Sequence, residues 1–223
     1  MYLKKHKKLL KIVKPLFLFL LQWRHALCNR RMIKRYLESH QIRKLQIGSG
    51  LNILKDWLNT DVSSYGEIVF LDAGKRFPFA EETFHYIYNE HLLEHFSYQE
   101  GVRFIRECYR VLKPGGKLRL STPDLRFLVD LYREDKSELQ KRYVSWAVES
   151  FLNDVKIYFD TFVINNFFYN WGHAFIYDYK TLKNVLEECG YIHIARHDLG
   201  ESDEKNFQGI ESHGSCITEE YNR

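Results

Sequence analysis

This chain of 223 residues has few cysteines, a small net charge and few long apolar runs. Its four cysteines (Cys28, Cys108, Cys189 and Cys216) include no C-x-x-C pair. This spacing excludes a disulfide framework and favours a reducing, cytoplasmic setting. The apolar run from Leu16 to Trp23 is too short for a helix that crosses a bilayer, so it is excluded as a membrane span.

The formal net charge is only +4, and much of the positive excess lies at the N-terminus, where six of the first fourteen residues are lysine (Lys4, Lys5, Lys7, Lys8, Lys11 and Lys14). The rest of the chain is close to neutral, so we expect no nucleic-acid-binding surface on it. With 45 % apolar and 28 % charged residues, the chain has the composition of an ordinary globular protein and the length of one domain.

We interpret residues 1–40 as a helical N-terminal extension, because the lysines lead into the apolar run and then into a second basic stretch (Arg24, Arg30, Arg31, Lys34 and Arg35). A signal peptide is disfavoured, since no small-residue cleavage site follows the run. Two interpretations remain open. In one, the segment makes a peripheral contact with an anionic membrane, with Phe17, Phe19 and Trp23 in the interface. In the other, it packs its apolar side on the core or on a partner subunit.

Six short segments have the composition and spacing of β-strands. They are Lys44–Ile47, Trp57–Val62, Glu67–Leu71, Phe84–Tyr88, Lys117–Ser121 and Tyr191–Ala195. Helical patterns alternate with them. Ser97 and Glu100 form a capping box at the start of one helix, which Lys113-Pro114-Gly115-Gly116 ends, and Asp178 is placed to cap another. This alternation predicts an α/β fold with a mostly parallel sheet.

Seven short motifs stand in a fixed order along the chain. They are L-Q-I-G-S-G (Leu45–Gly50), W-L-N-T-D (Trp57–Asp61), F-P-F (Phe77–Phe79), N-E-H-L-L-E-H (Asn89–His95), R-V-L-K-P-G-G (Arg110–Gly116), S-T-P-D-L (Ser121–Leu125) and W-G-H (Trp171–His173). In this order they resemble the class I S-adenosylmethionine-dependent methyltransferases, and within them a bacterial group of small proteins. The resemblance covers roughly residues 40 to 215. It implies a Rossmann-like three-layer sandwich that uses S-adenosylmethionine as the methyl donor.

The resemblance also defines what to expect at the end of the chain. Methyltransferases of this class finish with a seventh, antiparallel strand, but the chain after Asp198 is polar, with only scattered apolar residues. We therefore expect a methyltransferase domain over residues 41–223 with six strands; either the fold lacks the seventh strand or the chain is truncated relative to its relatives. A helical, aromatic-rich insertion at about residues 124–177 precedes the sixth strand, and we expect the acceptor pocket there.

The cofactor would bind where the first strands end. Glycines in the turn Gly48-Ser49-Gly50 let the backbone approach a ligand and leave N–H groups for a carboxylate such as that of methionine. Asp61, which ends the second strand, is placed to accept hydrogen bonds from two ribose hydroxyls. The resemblance places Asp72 at the adenine amino group, with Ala73 beside it.

Four further residues are candidates for the reaction itself. Asn89, Glu90 and His91 follow the fourth strand at its carboxyl end, where open α/β sheets bind ligands, so we expect them to line the cofactor and meet the acceptor. His91 and His173 are the candidate catalytic bases, since an imidazole titrates near neutral pH. A structural hydrogen bond is the alternative role of His173.

Nicotinamide binding is the main competitor for the glycine turn. Its G-x-G-x-x-G pattern would need a glycine where this chain has Ile53. Asp61 follows Gly48 by 13 residues, which is fewer than the roughly 20 that a full intervening helix requires. We therefore expect a short first helix in a methyltransferase, not a dinucleotide-binding fold.

His91-Leu92-Leu93-Glu94-His95 also matches H-x-x-E-H, a zinc-hydrolase signature. That motif needs a long helix and a third protein ligand, whereas here it follows a strand directly and a new helix cap begins at Ser97. We therefore expect no metal at this motif. The alternative for Glu94 and His95 is a structural role that braces the helix and the neighbouring loop.

The sequence does not identify the methyl acceptor. Our hypothesis is a small molecule or a cell-surface glycan or lipid intermediate, reached from the cytoplasm by a soluble or membrane-associated protein. A non-catalytic module that binds S-adenosylmethionine is the alternative from another functional class, and a zinc hydrolase is a third.

Overall fold

The structure, a computed structural model, describes residues 28–212. Its centre is a sheet of five strands, all parallel, in the order β3-β2-β1-β4-β5. The strands are β1 (Lys44–Ile47), β2 (Leu58–Asp61), β3 (Val69–Phe70), β4 (Phe84–Glu90) and β5 (Leu112–Ser121). Helices flank this sheet, so the predicted Rossmann-like α/β fold is confirmed.

Six α-helices are described. They are α1 (residues 28–39), α2 (Tyr98–Val111), α3 (Leu125–Leu131), α4 (Glu138–Phe151), α5 (Asp160–Tyr169) and α6 (Tyr179–Glu188). Two short 3-10 helices cover Leu93–His95 and Lys205–Phe207. The helices α3, α4 and α5 lie in the predicted insertion and pack on each other around their own small core.

Local signals account for the ends of two helices. At the start of α2, the backbone N–H of Ser97 donates to the Glu100 carboxylate over 3.0 Å, and the Glu100 N–H donates back to the Ser97 hydroxyl. The predicted capping box is therefore present. At α6, the Thr181 N–H donates to the Asp178 side chain over 2.8 Å, which confirms the predicted cap.

The sheet core follows from the apolar strands. Leu45, Ile47 and Ile87, in the neighbouring strands β1 and β4, are almost completely buried. Central parallel strands are covered on both faces, and their sequences are correspondingly apolar. The fixed positions of β1 and β4 hold the loops after them at one edge of the sheet.

The predicted sixth strand, Tyr191–Ala195, is wrong: these residues form no strand in the described chain. His193 has a φ of 56°, a left-handed conformation that interrupts an extended segment. Side chains of β5 pair with residues later in the chain, Lys117 with Glu204 and Arg119 with Glu211. Among the described strands, β5 therefore pairs with β4 alone.

The prediction of a short helix between β1 and β2 is also wrong, since residues 51–57 contain no helix. The side chain of Asn59 holds this loop by accepting from the Leu54 N–H and donating to the Leu54 carbonyl, both over 3.0 Å. The late segment of the chain packs there, with the ring of Phe207 6.2 Å from that of Trp57. The chain thus reaches Asp61, 13 residues after Gly48, without an intervening helix.

Helix α1 belongs to the folded domain, although the sequence placed it in the extension. The Tyr36 hydroxyl donates to the Lys44 carbonyl over 2.8 Å at the start of β1. The Asn29 side chain exchanges two hydrogen bonds with the backbone of Phe70, on the edge strand β3. Residues 28–39 of the predicted extension therefore pack on the sheet, and the predicted boundary at residue 40 lies directly after this helix. The membrane-contact hypothesis concerns residues 1–27, which lie outside the described residues.

Within residues 28–212, no helix has both the length and the apolar character that crossing a membrane requires.

Candidate active site

Predicted cofactor residues meet at the carboxyl edge of the sheet. The N–H groups of Gly48 and Ser49 donate to the Thr60 carbonyl of β2 over 2.9 and 3.0 Å. The Gly50 N–H donates to Oδ2 of Asp61 over 3.0 Å. The glycine turn and the Asp61 carboxylate, predicted separately, are therefore in direct contact.

The turn requires glycine at Gly48. Its φ is +70°, and a Cβ there would lie 3.2 Å from the Leu92 side chain. Gly50 also has a positive φ, but a Cβ there would meet no atom within 4 Å. Gly48 therefore allows close packing against the loop after β4, and Gly50 borders open space that a ligand could occupy.

Asp61 keeps capacity for further hydrogen bonds. Its Oδ1 accepts from the Ser63 N–H over 2.7 Å, and its Oδ2 accepts from Gly50. An ionised carboxylate offers about four acceptor positions, so two remain. This spare capacity fits a group that presents a pair of hydroxyls.

Asp72 lies after β3, where its carboxylate pairs with Lys75 at 2.8 Å and accepts from the Gly74 N–H. The hydrogen bond from Lys75 lowers the pKa of Asp72 below its usual value. Asp72 is therefore an acceptor at neutral pH, and the adjacent Ala73 is buried.

Buried polar atoms at the ends of β1 and β4 are available to a ligand. The Ser49 hydroxyl and both amide atoms of Asn89 are buried without a hydrogen-bond partner among residues 28–212. Such groups are costly to bury unless something polar meets them. The residues thus fit a polar cofactor at this edge. Glu90, also predicted here, instead accepts from the Ser212 N–H and hydroxyl.

His91 and Glu94 form a hydrogen-bonded pair immediately after β4. His91 has a φ of 49°, unusual for a residue with a side chain, and its N–H donates to the Ser121 carbonyl on β5. Its Nδ1 lies 2.8 Å from Oε1 of Glu94, whose other oxygen accepts from the Thr122 hydroxyl over 3.1 Å. Glu94 is fully buried, whereas the His91 side chain is 38 % exposed.

The pair stabilises its own charges. Burial raises the pKa of Glu94, but hydrogen bonds from His91 and Thr122 and the charge of His91 outweigh it and hold this pKa below its usual value. Burial likewise lowers the pKa of His91, and the hydrogen bond and charge of Glu94 reverse this and raise it. A carboxylate that accepts from Nδ1 fixes the imidazole tautomer with its lone pair on Nε2.

Glu94 also brings the helical insertion to the site. Its backbone carbonyl accepts from the N–H groups of Ala174 and Phe175 over 2.8 and 3.2 Å. This contact places His173 beside His95, with ring centroids 5.1 Å apart. Burial lowers the pKa of His173, which favours its neutral form.

A cavity of about 1610 Å³ opens on the far side of β4 from the glycine turn. One end is lined by His91, Glu94, His95 and His173. Aromatic side chains from the insertion line the adjoining wall (Phe127, Tyr143, Trp146, Phe151, Phe167 and Trp171). Successive ring centroids in this wall lie 4.9–5.6 Å apart, and the row reaches His173.

The site therefore has two parts, and His91 lies where they meet. Gly48, Asp61 and Asp72 are outside the lining of the large cavity, whereas both candidate bases, His91 and His173, belong to it. The contact by which Glu94 orients His91 was not predicted from the sequence, and neither was the contact of Thr122 with Glu94. The three-residue spacing from His91 to Glu94 was a usable signal, but the contact with Thr122 was not visible from spacing.

Comparison with known proteins gives one family match. Residues 46–120, about a third of the chain, match the family model of a methyltransferase domain. The matched segment begins at Gln46 in β1 and ends in β5, so it contains the predicted cofactor residues and the His91–Glu94 pair. No curated protein matches the chain.

Three solved structures show a similar fold at low sequence identity. An S-adenosylmethionine-dependent methyltransferase from Archaeoglobus fulgidus is 16 % identical, with 93 % of this chain and 87 % of that one covered and a TM-score of 0.47. A candidate methyltransferase from Bacillus halodurans is 19 % identical, with 73 % and 65 % covered and a TM-score of 0.38.

A third structure, from Haemonchus contortus, is a phosphoethanolamine N-methyltransferase in complex with phosphomonomethylethanolamine and S-adenosylhomocysteine. It is 16 % identical, with 74 % of this chain covered and a TM-score of 0.40. This chain spans only 37 % of that structure's length.

Proposed function

Because residues 46–120 match the family model of a methyltransferase domain, we propose that this protein transfers a methyl group from S-adenosylmethionine to an acceptor held in the aromatic cavity. The observation that carries the proposal is the position of His91 between the two parts of the site. It follows β4 at the cofactor edge, and it lines the acceptor cavity.

The chain's residues have separate roles toward the cofactor. The turn Gly48-Ser49-Gly50 lies against its methionine part, where the Ser49 hydroxyl, which has no partner among residues 28–212, can donate to the carboxylate. Asp61 accepts from its ribose hydroxyls. Asp72 and Ala73 hold the adenine, and the buried amide of Asn89 lines the same edge. When bound, S-adenosylmethionine supplies a methyl group on a positively charged sulfonium. The protein's contribution is to align a nucleophile behind that methyl carbon.

His91 is the general base. Glu94 accepts from its Nδ1, so the lone pair on Nε2 can take the proton of an acceptor hydroxyl or amine as the new bond to carbon forms. Glu94 then stabilises the resulting imidazolium, as a buried carboxylate does for a catalytic histidine. His173 is the second candidate base, held from the other side by its Nδ1 contact with the Phe167 carbonyl at 2.8 Å.

The acceptor is a hydroxyl-bearing molecule with a large apolar part, such as a glycan or lipid intermediate. Its apolar part packs against the row of aromatic rings, and its nucleophile lies among the histidines. The cavity has a volume of about 1610 Å³ and continues along β5 beyond the aromatic rings, so it has room for a bulky acceptor. The lysine-rich residues 1–27 add a peripheral contact with anionic membranes, where such intermediates reside.

Formation of S-adenosylhomocysteine tests this proposal. Full-length protein is incubated with S-adenosylmethionine and, separately, with water-soluble glycans, lipid-linked glycans and simple hydroxylated aromatics. We expect product above the acceptor-free rate with the lipid-linked pool. Turnover confined to small soluble acceptors would contradict the acceptor class, and tight binding of S-adenosylhomocysteine without turnover in any pool would favour a non-catalytic module.

A further inference from the structure

Three metal-ligating side chains converge at the mouth of the aromatic cavity. One ligand atom each from Glu94, His95 and His173 lies within 4.8 Å of the others. Glu94 and His95 end the loop after β4, whereas His173 comes from the end of the insertion. We propose that Glu94, His95 and His173 bind a divalent transition-metal ion, and that zinc is the ion this ligand set fits best.

The tautomers of both histidines suit metal binding. Nδ1 of His173 lies 2.8 Å from the Phe167 carbonyl, and Nδ1 of His95 lies 3.4 Å from the Gly172 carbonyl. A carbonyl oxygen can only accept, so each Nδ1 carries the proton and each Nε2 keeps a lone pair. Metal-ligating histidines are oriented in this way, with the other ring nitrogen donating to a carbonyl or carboxylate.

Glu94 is held equally firmly. Its two carboxylate oxygens accept from His91 and Thr122, and it is fully buried. Carboxylate oxygens have lone pairs for a metal in addition to these hydrogen bonds. The two partners therefore orient the ligand without blocking it, as the outer contacts of metal-bound carboxylates do.

The backbone fixes the distance between the two sides of the cluster. The Glu94 carbonyl accepts from Ala174, the residue after His173, so both sides are joined by a hydrogen bond of 2.8 Å. Trp171 and Gly172 both have left-handed φ values, of 60° and 75°, which turn the chain toward His95. Tetrahedral zinc with bonds of about 2.0–2.2 Å places its ligand atoms roughly 3.4 Å apart, so a small rotation of the exposed His95 completes the site.

This ligand set differs from the H-x-x-E-H motif in the sequence. In the motif His91 would be a metal ligand. In the structure, Nδ1 of His91 faces Glu94, and His91 does not belong to the cluster of Glu94, His95 and His173. The third ligand that the motif lacked comes instead from His173. The proposed site therefore shares only two residues, Glu94 and His95, with the motif at which we expected no metal.

Two histidines and one glutamate are the protein ligands of many zinc sites that keep a fourth position open. Here all three ligands line the cavity, so the fourth position would face it. An acceptor oxygen could occupy that position, a role that rests on the proposed function. Metal binding itself does not depend on methyl transfer.

Calorimetry with zinc chloride alone tests the site on the full-length, metal-stripped protein. We expect one tight site, and at least a tenfold loss of affinity in His95→Gln and in His173→Gln, two conservative variants. His91→Gln should retain the site, because His91 is not a ligand, and so should His193→Gln, an exposed histidine elsewhere. Circular dichroism confirms that each variant is folded.

Cobalt substitution provides a second readout, since its visible spectrum distinguishes four-coordinate from six-coordinate sites. We expect a four-coordinate spectrum that His95→Gln and His173→Gln abolish. Absence of a tight metal site would overturn the proposal. Metal binding that survives when His95→Gln and His173→Gln are combined would overturn it too. Loss of binding in His91→Gln with retention in His173→Gln would assign the metal to the H-x-x-E-H motif instead.

Discussion

Nδ1 of His91 lies 2.8 Å from Oε1 of Glu94, and the glutamate is buried while the histidine is partly exposed. The pair therefore has one member fixed in the protein and one at the cavity surface. Thr122, at the end of the neighbouring strand, secures the other oxygen of Glu94. The arrangement orients an imidazole in the direction where an acceptor would bind.

Replacing His91 with glutamine tests its role as base. We predict that His91→Gln lowers kcat for a hydroxyl acceptor by about a hundred- to ten-thousandfold, because proton transfer is lost. Affinity for S-adenosylhomocysteine should stay within about threefold, since the glycine turn and Asp61 are unchanged. Steady-state kinetics and calorimetry measure the two effects. Equal losses in kcat and cofactor affinity would instead assign His91 to cofactor binding.

Asp61→Ala tests the cofactor edge. We predict a ten- to hundredfold rise in the dissociation constant of S-adenosylhomocysteine, corresponding to about 1.5–3 kcal/mol for lost charge-assisted hydrogen bonds. Asp61→Asn is the matched control, because it keeps one oxygen as an acceptor, and it should lose less. Calorimetry on folded variants makes the measurement. An affinity equal to that of the wild type in Asp61→Ala would remove Asp61 from the site.

The ion pair of Glu107 and Arg110 should make a pH-dependent contribution to the free energy of unfolding. Arg110 donates to Glu107 over 2.7 Å and to the carbonyls of Phe77 and Phe79, so the pair anchors the loop before β4. We predict that Glu107→Gln lowers the free energy of unfolding by about 1–3 kcal/mol at pH 7. Urea unfolding of the two proteins measures this difference.

The sign of the pH dependence follows from the pKa of Glu107. The hydrogen bond from Arg110 lowers this pKa in the folded state below its ordinary value of 4.5. The contribution is therefore present above that value and is lost as the pH falls through the folded-state pKa. The difference between wild type and Glu107→Gln should shrink below about pH 4. A difference that stays constant down to acid pH would contradict the pairing.

Two truncations separate the lysine-rich segment from α1. We predict that a chain starting at Cys28 keeps its melting temperature and its S-adenosylhomocysteine affinity but sediments less with anionic vesicles. A chain starting at His40 should melt lower, because Asn29 and Tyr36 lose their bonds to the sheet. Vesicle sedimentation and thermal unfolding check both. Equal sedimentation of full-length protein and the Cys28 chain would end the membrane hypothesis.

The sequence predicted those parts of the fold that depend on neighbouring residues. The capping box at Ser97 and the cap at Asp178 act within three residues, and the apolar strands β1 and β4 are buried in the centre of the sheet. The sixth strand was wrong because strand formation depends on a partner as well as on composition. Among the described strands, none pairs with the outer edge of β5, and its side chains Lys117 and Arg119 pair with Glu204 and Glu211.

The site was predictable only in part for the same reason. Gly48 and Asp61 were chosen from strand ends, and a hydrogen bond between Gly50 and Asp61 joins those two strand ends. The contact of Glu94 with Thr122, and the arrival of His173 beside His95, depend on hydrogen bonds between segments far apart in the chain. Spacing carries no information about such pairings.

Transfer of a labelled methyl group tests the central claim most directly. The protein is incubated with S-adenosylmethionine that carries a trideuteromethyl group and with a lipid-linked glycan pool, and products are analysed by mass spectrometry. We predict one acceptor species that gains the mass of one trideuteromethyl group in place of a proton, with S-adenosylhomocysteine formed in equal amount, and loss of both products in His91→Gln. Failure of any acceptor to gain the label, while the wild-type protein binds S-adenosylhomocysteine, would contradict the account.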